Sequence, residues 1–242
     1  MRTIRIYQPG NYQPGQTLDL SPSASQHVGV VLRLHPGDVI ILFDGENHEC
    51  LATILTVQKK QVTLRIDTIN TVSRESPRAI HLAQGISKGD RMEWVIQKAV
   101  ELGVNSITPL LTARCVVKLD NDRMAKKQLQ WQAIAVAACE QCGRNQIPII
   151  HQTQSFISYI QHCQPSNKWV LYPDAEKSWR NYSSILGDIA LLIGPEGGLN
   201  DDEINLAFNH QFQPLSLGPR ILRTETAAIT AMSVLQAIFG DM

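Results

Sequence analysis

Two stretches concentrate the residues able to do chemistry. Residues 217–227 (LGPRILRTETA) bring Arg220 and Arg223 together in one short segment, with Glu225 close behind. Two guanidinium groups side by side repel unless something anionic or polar meets them, and the planar fork of arginine suits a carboxylate or a developing oxyanion. Either an acid of the chain, Glu225 or Glu196, neutralises one of them, or the pair is left to meet a ligand. The second stretch, residues 188–203, carries four apolar residues into Gly194, Pro195, Glu196, Gly197 and Gly198, then into Asn200, Asp201, Asp202 and Glu203. Glycines remove side chains and let backbone groups touch a ligand directly. The alternative is a tight turn that only reverses the chain.

Phosphate chemistry can be tested against this loop. A P-loop requires Gly-Lys-Ser/Thr to hold phosphate and magnesium, whereas Gly198 is followed by Leu199 and Asn200. A dinucleotide fingerprint requires G-x-G-x-x-G in the first strand-helix unit, whereas this loop is spaced differently and comes late. Asp201, Asp202 and Glu203 at a helix start also repel an anion there. A ligand without phosphate fits better.

Other reactive residues are less organised. Cys139 and Cys142 are spaced as a metal-binding pair, yet the distances to His151, His162 and Cys163 match no standard zinc site and the pair falls within a helical pattern, so no metal is expected. Arg144 follows Gly143 at that helix end, where it either favours the helix dipole or serves function. His27 has no paired base or nucleophile in view.

The elements that must position these loops follow from hydrophobic period. Residues 188–203 read as a buried strand, a turn and a helix start, with Asn200 and Glu203 spaced as a capping box. Residues 217–227 likewise follow a strand (214–217) and lead into a helix from Thr224 or Glu225 to Phe239. Further strands are expected at 80–86, 107–111, 147–150 and 169–172, and helices at 88–102 and 120–142. Strands alternating with helices give an α/β domain on a mostly parallel sheet, whose ligands sit outside the carboxyl ends of the strands. Before it, runs at 3–7, 39–43, 50–57 and 62–69, broken by turn formers and one or two helical turns near 23–32, suggest a small β-barrel. The polar, proline-containing stretch 73–78 separates the two, giving domains at 1–72 and 73–242.

Bulk composition bounds the function. The 242 residues are 43% hydrophobic and 18% charged, enough for a substantial core. Lys+Arg and Asp+Glu are 22 each, which argues against a general nucleic-acid coat protein but permits a local basic patch. No run is long enough to span a bilayer and the N-terminus lacks a signal peptide's apolar core. Five irregularly spaced cysteines favour a reducing cytoplasm over a disulfide framework.

Five motifs in a fixed order, QKAVELG at 97–103, RCVVK at 114–118, ACEQCGR at 138–144, IGPEGG at 193–198 and LGPRILRTETA at 217–227, resemble the bacterial 16S rRNA uracil-N3 methyltransferases of the SPOUT class. Val31, Leu32 and Arg33 with Gly37 and Asp38 extend the likeness into the first domain, so it covers nearly the whole chain. Val100 stands where threonine is usual, and Cys115 and Cys142 where serine is common. The first fifteen residues are least typical. The resemblance implies a PUA-like N-terminal β-barrel, a C-terminal α/β domain with a trefoil knot, and a homodimer acting on 16S rRNA or the assembled small ribosomal subunit. It implies S-adenosyl-L-methionine bound by Gly194, Pro195, Glu196, Gly197 and Gly198 and by Ser216, Leu217, Gly218, Ile221 and Leu222, with the loop after Leu111 as a third wall.

Methylating N3 of a uridine, at the family's position 1498, needs the N3 proton to leave and the resulting charge to be stabilised. On that reading Arg220 and Arg223 stabilise charge, while Glu196 or Glu225 accepts the proton or positions an arginine. Arg33, Arg91, Arg114, Lys118 and Arg144 are the candidates for contact with RNA, with Arg2, Arg5 and Arg65 on the barrel.

Overall fold

The computed structural model describes residues 4–116, 120–173, 175, 179 and 185–242. Its contacts divide the chain into two units, one of residues 1–75 with 139–147 and one of residues 76–138 with 148–242. The division falls a few residues beyond the expected 72/73 step. It also places 139–147, an inner segment of the expected second domain, in the first unit.

The first unit is a five-stranded mixed sheet in the order β1-β3-β4-β5-β2. Strand β1 (Arg5–Tyr7) runs parallel to β3 (Val39–Phe43), and β3, β4 (His48–Val57), β5 (Val62–Thr71) and β2 (Thr17–Asp19) pair antiparallel. Cys50, Ala52 and Ile54 on β4 and Val62, Leu64 and Ile66 on β5 point to one buried face while their neighbours face outward, the period of two expected of a half-buried strand. Helix α1 (Pro22–Gln26), capped by the Ser21 hydroxyl, and a π-helical turn (His27–Val31) supply Ala24 and Val28 to the same core. Residues 139–147 are fastened to this unit by Arg144, which pairs with Glu75, and by Asn145, which donates to Val72 O at 2.8 Å and to Glu49 at 3.0 Å.

The second unit is a wholly parallel sheet in the order β12-β10-β11-β6-β7-β8, with β9 (Gln154–Ser155) also pairing with β7. Its strands are β6 (Ile80–Gly85), β7 (Ser106–Leu111), β8 (Ile149–Ile150), β10 (Asn167–Leu171), β11 (Ile189–Ile193) and β12 (Gln213–Leu215). All five residues of β11 are buried, as a strand covered on both faces requires. Helices α4 (Phe156–His162) and α5 (Asp201–Asn209) pack together and close a core around Ala83, Leu110, Val170, Ala190 and Leu192. Helices α2 (Arg91–Glu101) and α6 (Thr224–Phe239) pack against each other, and α6 also packs on β11. Helix α3 spans Asn121–Cys142. No described helix is long and apolar enough to cross a membrane.

Because every strand of this sheet is parallel, all carboxyl ends lie on one side. The chain starts in the middle at β6, moves outward through β7 and β8, then returns to build β10, β11 and β12 on the other side of β6. The order therefore reverses next to β11, which is where an open α/β sheet opens a crevice for a ligand.

Candidate active site

The glycine loop leaves β11 at Ile193 and closes by a turn in which Gly198 N donates to Pro195 O at 2.9 Å. Gly198 sits at φ +69°, a region L side chains rarely adopt, and a Cβ on Gly194 would lie 2.9 Å from Gly198 C and Leu199 N. The loop runs into α5 through a complete capping box: Asn200 Oδ1 accepts from Glu203 N at 2.8 Å and Glu203 Oε2 accepts from Asn200 N at 3.0 Å. The other oxygen of Glu203 accepts from Ala113 N at 2.7 Å, tying the loop after β7 to the same helix start.

A cavity of about 340 Å³ opens at these strand ends. Gly194, Pro195, Glu196, Gly197 and Gly198 form one wall, and Leu217, Gly218, Arg220, Ile221 and Leu222 a second. Tyr172 and Pro173 after β10, Arg114 after β7, and Thr224 and Ala227 on α6 also line it. Arg114 Nη1 donates to Gly197 O at 2.9 Å and Leu199 O at 3.3 Å, so this arginine braces the glycine wall. Ser216 is buried and does not line the cavity; its hydroxyl accepts from Gly218 N at 3.3 Å and shapes the second loop from behind.

The acids and arginines pair otherwise than either expected partnership. Glu196 Oε1 accepts from Arg91 Nη1 at 2.7 Å and from Lys88 N at 2.8 Å, and Arg91 Nε approaches Glu225 Oε1 at 3.8 Å. Burial pulls the Glu196 carboxyl upward, but its own and the Lys88 backbone amides and the Arg91 guanidinium outweigh it and hold it below the ordinary carboxylate range. Arg220 and Arg223 are exposed and form no ion pair among the described residues. Arg220 lines the cavity; Arg223 stands at the N-cap of α6, one residue before Thr224, and does not line it.

The expected RNA-contacting residues separate. Arg33 is exposed on the first unit at φ +55°. Arg91 and Arg114 are exposed in the second unit but both are engaged as described. The Arg144 side chain is 6% exposed and bound to Glu75, with Nε donating to Oε1 at 3.1 Å, a pairing within the first unit. Arg5 is likewise buried, against Glu49. Arg65 pairs with Asp67 at 3.0 Å and remains half exposed. Lys118 and Arg2 lie outside the described residues. Cys139 is buried and donates from Sγ to Gln146 O at 3.6 Å. Burial pushes its thiol up to about 12.

Gln84 was missed. It lies at the end of β6, fully buried, with Nε2 donating to Thr224 Oγ1 at 2.9 Å and to Gly85 O at 3.0 Å. A glutamine set among Leu82, Ala83 and Ile86 was the available signal.

The chain matches the family model of an RNA methyltransferase domain over residues 74–236 and that of an RNA methyltransferase PUA domain over residues 20–67. It is 37% identical over 242 residues to the ribosomal RNA small subunit methyltransferase E of Buchnera aphidicola subsp. Schizaphis graminum, covering 100% of this chain and 98% of that one. The Bacillus subtilis protein of the same description is 35% identical over 228 residues, covering 90% and 89%. A Legionella pneumophila protein solved in complex with the bound cofactor SAM superposes with a TM-score of 0.98 at 58% identity, over 100% of both chains. Ribosomal RNA small subunit methyltransferase E of Neisseria gonorrhoeae, solved bound to S-adenosyl methionine, does so with a TM-score of 0.93 at 37% identity, over 100% of both chains.

Proposed function

Because the chain belongs to the RNA methyltransferase family of ribosomal RNA small subunit methyltransferase E, we propose that it methylates N3 of one uridine in 16S rRNA, the family's position 1498, using S-adenosylmethionine. The observation that carries this reading is the convergence of the loops after β7, β10, β11 and β12 on a single cavity sized for a small cofactor.

The residues present fit that cofactor. Gly194 and Gly197 let the glycine wall fold closely on itself and on Arg114, since a Cβ on the first would meet Gly198 and Leu199 and on the second Arg114 Cβ, and the acidic first turn of α5 disfavours a phosphate-bearing ligand in its place. The walls at Gly194–Gly198 and at Leu217, Gly218, Ile221 and Leu222 would hold it, with Ser216 supporting the second wall. When bound, S-adenosylmethionine supplies an activated methyl group on a sulfonium.

The chain's own task is to make uracil N3 nucleophilic. That nitrogen carries a proton, and as the proton leaves, negative charge spreads onto the flanking imide oxygens. Arg220 at the cavity and Arg223 beside it are the groups that stabilise this charge, an effect worth about 3 kcal/mol for a well-placed donor. Glu196 is held acidic and committed to Arg91 and Lys88, so it positions the glycine wall and leaves the proton to another acceptor. Arg33, Arg114 and Lys118 are the remaining candidates for the RNA backbone, while Arg91 is neutralised by two carboxylates. The target base must be unstacked or already exposed in the folded RNA. The proposal includes a trefoil knot through the cavity loops, a homodimer and a cytoplasmic site of action, each implied by the resemblance.

Transfer of tritiated methyl groups to methylase-deficient small ribosomal subunits, followed by nucleoside analysis, tests the reading. Label in 3-methyluridine of 16S rRNA is expected. Label in another RNA, or tight RNA binding with no label, overturns it.

A further inference from the structure

Gln84 sits below the cavity, outside its lining, at the point where three elements meet: the end of β6, the start of the glycine loop and the first residue of α6. Its Nε2 donates to Thr224 Oγ1 at 2.9 Å and Gly85 O at 3.0 Å, and lies 3.4 Å from Gly194 O. The Thr224 hydroxyl in turn donates to Gly194 O at 2.7 Å. Both carbonyl oxygens can only accept, and the Thr224 proton is committed to Gly194, so every group facing Gln84 Nε2 is an acceptor. The amide therefore has one orientation. Its Oε1 is buried and has no partner among the described residues. Space is closed as well: a Cβ on Gly85 would lie 2.5 Å from Pro195 N, so strand and loop are in direct backbone contact.

From this geometry we infer that Gln84 is a positioning residue for the methyl-transfer site, an inference that rests on the cofactor reading above. It fixes the carbonyl of Gly194, where the first wall begins, to the hydroxyl of Thr224, which follows Arg223 and lines the cavity. The two walls are thereby held in one relative register, and cofactor affinity and the placing of the arginines depend on the same buried amide. Removing the Nε2 donors leaves Gly85 O and Thr224 Oγ1 facing a group that cannot donate to them, which weakens the joint between the two walls.

Gln84→Glu tests this without changing shape. A carboxylate there faces two carbonyl oxygens and loses both donors; protonated, it regains one. Calorimetric titration of the wild type with S-adenosylmethionine comes first, and absence of binding would remove the cofactor reading itself. With binding established, Gln84→Glu should raise the cofactor Kd about tenfold or more, and the loss should shrink as pH falls and the new carboxyl protonates, while the wild type shows no such trend. Gln84→Met should weaken binding at every pH. Thr224→Ser should preserve affinity and Thr224→Val should lose it, a pair that carries the test if Gln84→Glu does not fold. A folded Gln84→Glu with wild-type Kd and kcat across pH, or equal affinities for Thr224→Ser and Thr224→Val, would overturn the inference.

Discussion

Arg91 Nη1 stands 2.7 Å from Glu196 Oε1, so the acid of the glycine loop is joined to the first residue of α2 and to neither loop arginine. The pair is partly exposed, with side chains 42% and 30% accessible, and solvent screening limits its worth. Arg91→Ala should therefore raise the cofactor Kd only about two- to fivefold. Glu196→Gln keeps an acceptor for Lys88 N and removes the charge; it should retain methyl transfer within about tenfold of the wild type. Initial rates on small-subunit rRNA check this. A loss of about a thousandfold would make Glu196 the proton acceptor after all.

The glycine wall predicts a graded series. A methyl group at position 194 would lie 2.9 Å from backbone atoms of Gly198 and Leu199, whereas at 197 it meets Arg114 Cβ at 3.2 Å, a milder contact relieved by a few tenths of an ångström. Gly194→Ala should weaken cofactor binding more than Gly197→Ala, and Gly197→Val should weaken it about tenfold or more. Isothermal titration of the three variants measures the order. Unchanged affinity in Gly197→Val would remove that loop from the cofactor site.

In the first unit Glu49 receives Arg5 Nη1 at 2.9 Å, Arg74 Nη1 at 2.9 Å and Asn145 Nδ2 at 3.0 Å. Burial alone would raise its pKa, but these hydrogen bonds outweigh burial and bring it down to about 2, below the ordinary 4.5. A carboxylate depressed on folding contributes stability above its unfolded pKa and loses it as pH falls from there towards the folded value. Acid should thus weaken this unit between about pH 4.5 and about pH 2. Glu49→Gln should cost about 1–2 kcal/mol at neutral pH, allowing for screening, and should flatten the response across that window. Urea midpoints at neutral and acid pH, for both proteins, provide the measurement.

Much of this architecture was legible because local patterns coincide with the tertiary environment. The apolar run of β11, the Asn200–Glu203 spacing and a last helix starting at Thr224 or Glu225 are each read from neighbours in sequence, and each is present, the helix beginning at Thr224. What escaped depends on partners distant along the chain. Arg144 looked like a free helix-end cation because Glu75, which buries it, lies 69 residues earlier. Segment 139–147 belongs to the first unit through pairs of the same kind, and Gln84 acquires its meaning from Thr224, 140 residues later. The short elements β2, β9 and α4 carry too few residues for a period to emerge.

The two loop arginines can be separated by what each substitution leaves intact. Arg220 lines the cavity, while Arg223 caps α6 through its backbone carbonyl, which accepts from Ala227 N at 2.8 Å, and keeps its side chain free of intramolecular ion pairs among the described residues. Neither side chain braces the glycine wall, so removing either should leave the fold and the cofactor Kd within about threefold of the wild type. Methyl transfer should fall by about 10²–10³ for whichever arginine meets the developing imide charge, as for other preorganised donors. Arg223→Ala is expected to show that loss in kcat with cofactor binding retained, and Arg220→Ala a smaller one joined to a raised RNA KM, since an exposed cation at the cavity mouth also attracts the RNA backbone. Single-turnover rates and cofactor titrations on both variants decide the division. Full turnover by Arg223→Ala would take that residue out of the mechanism and leave Arg220 as the charge-stabilising group.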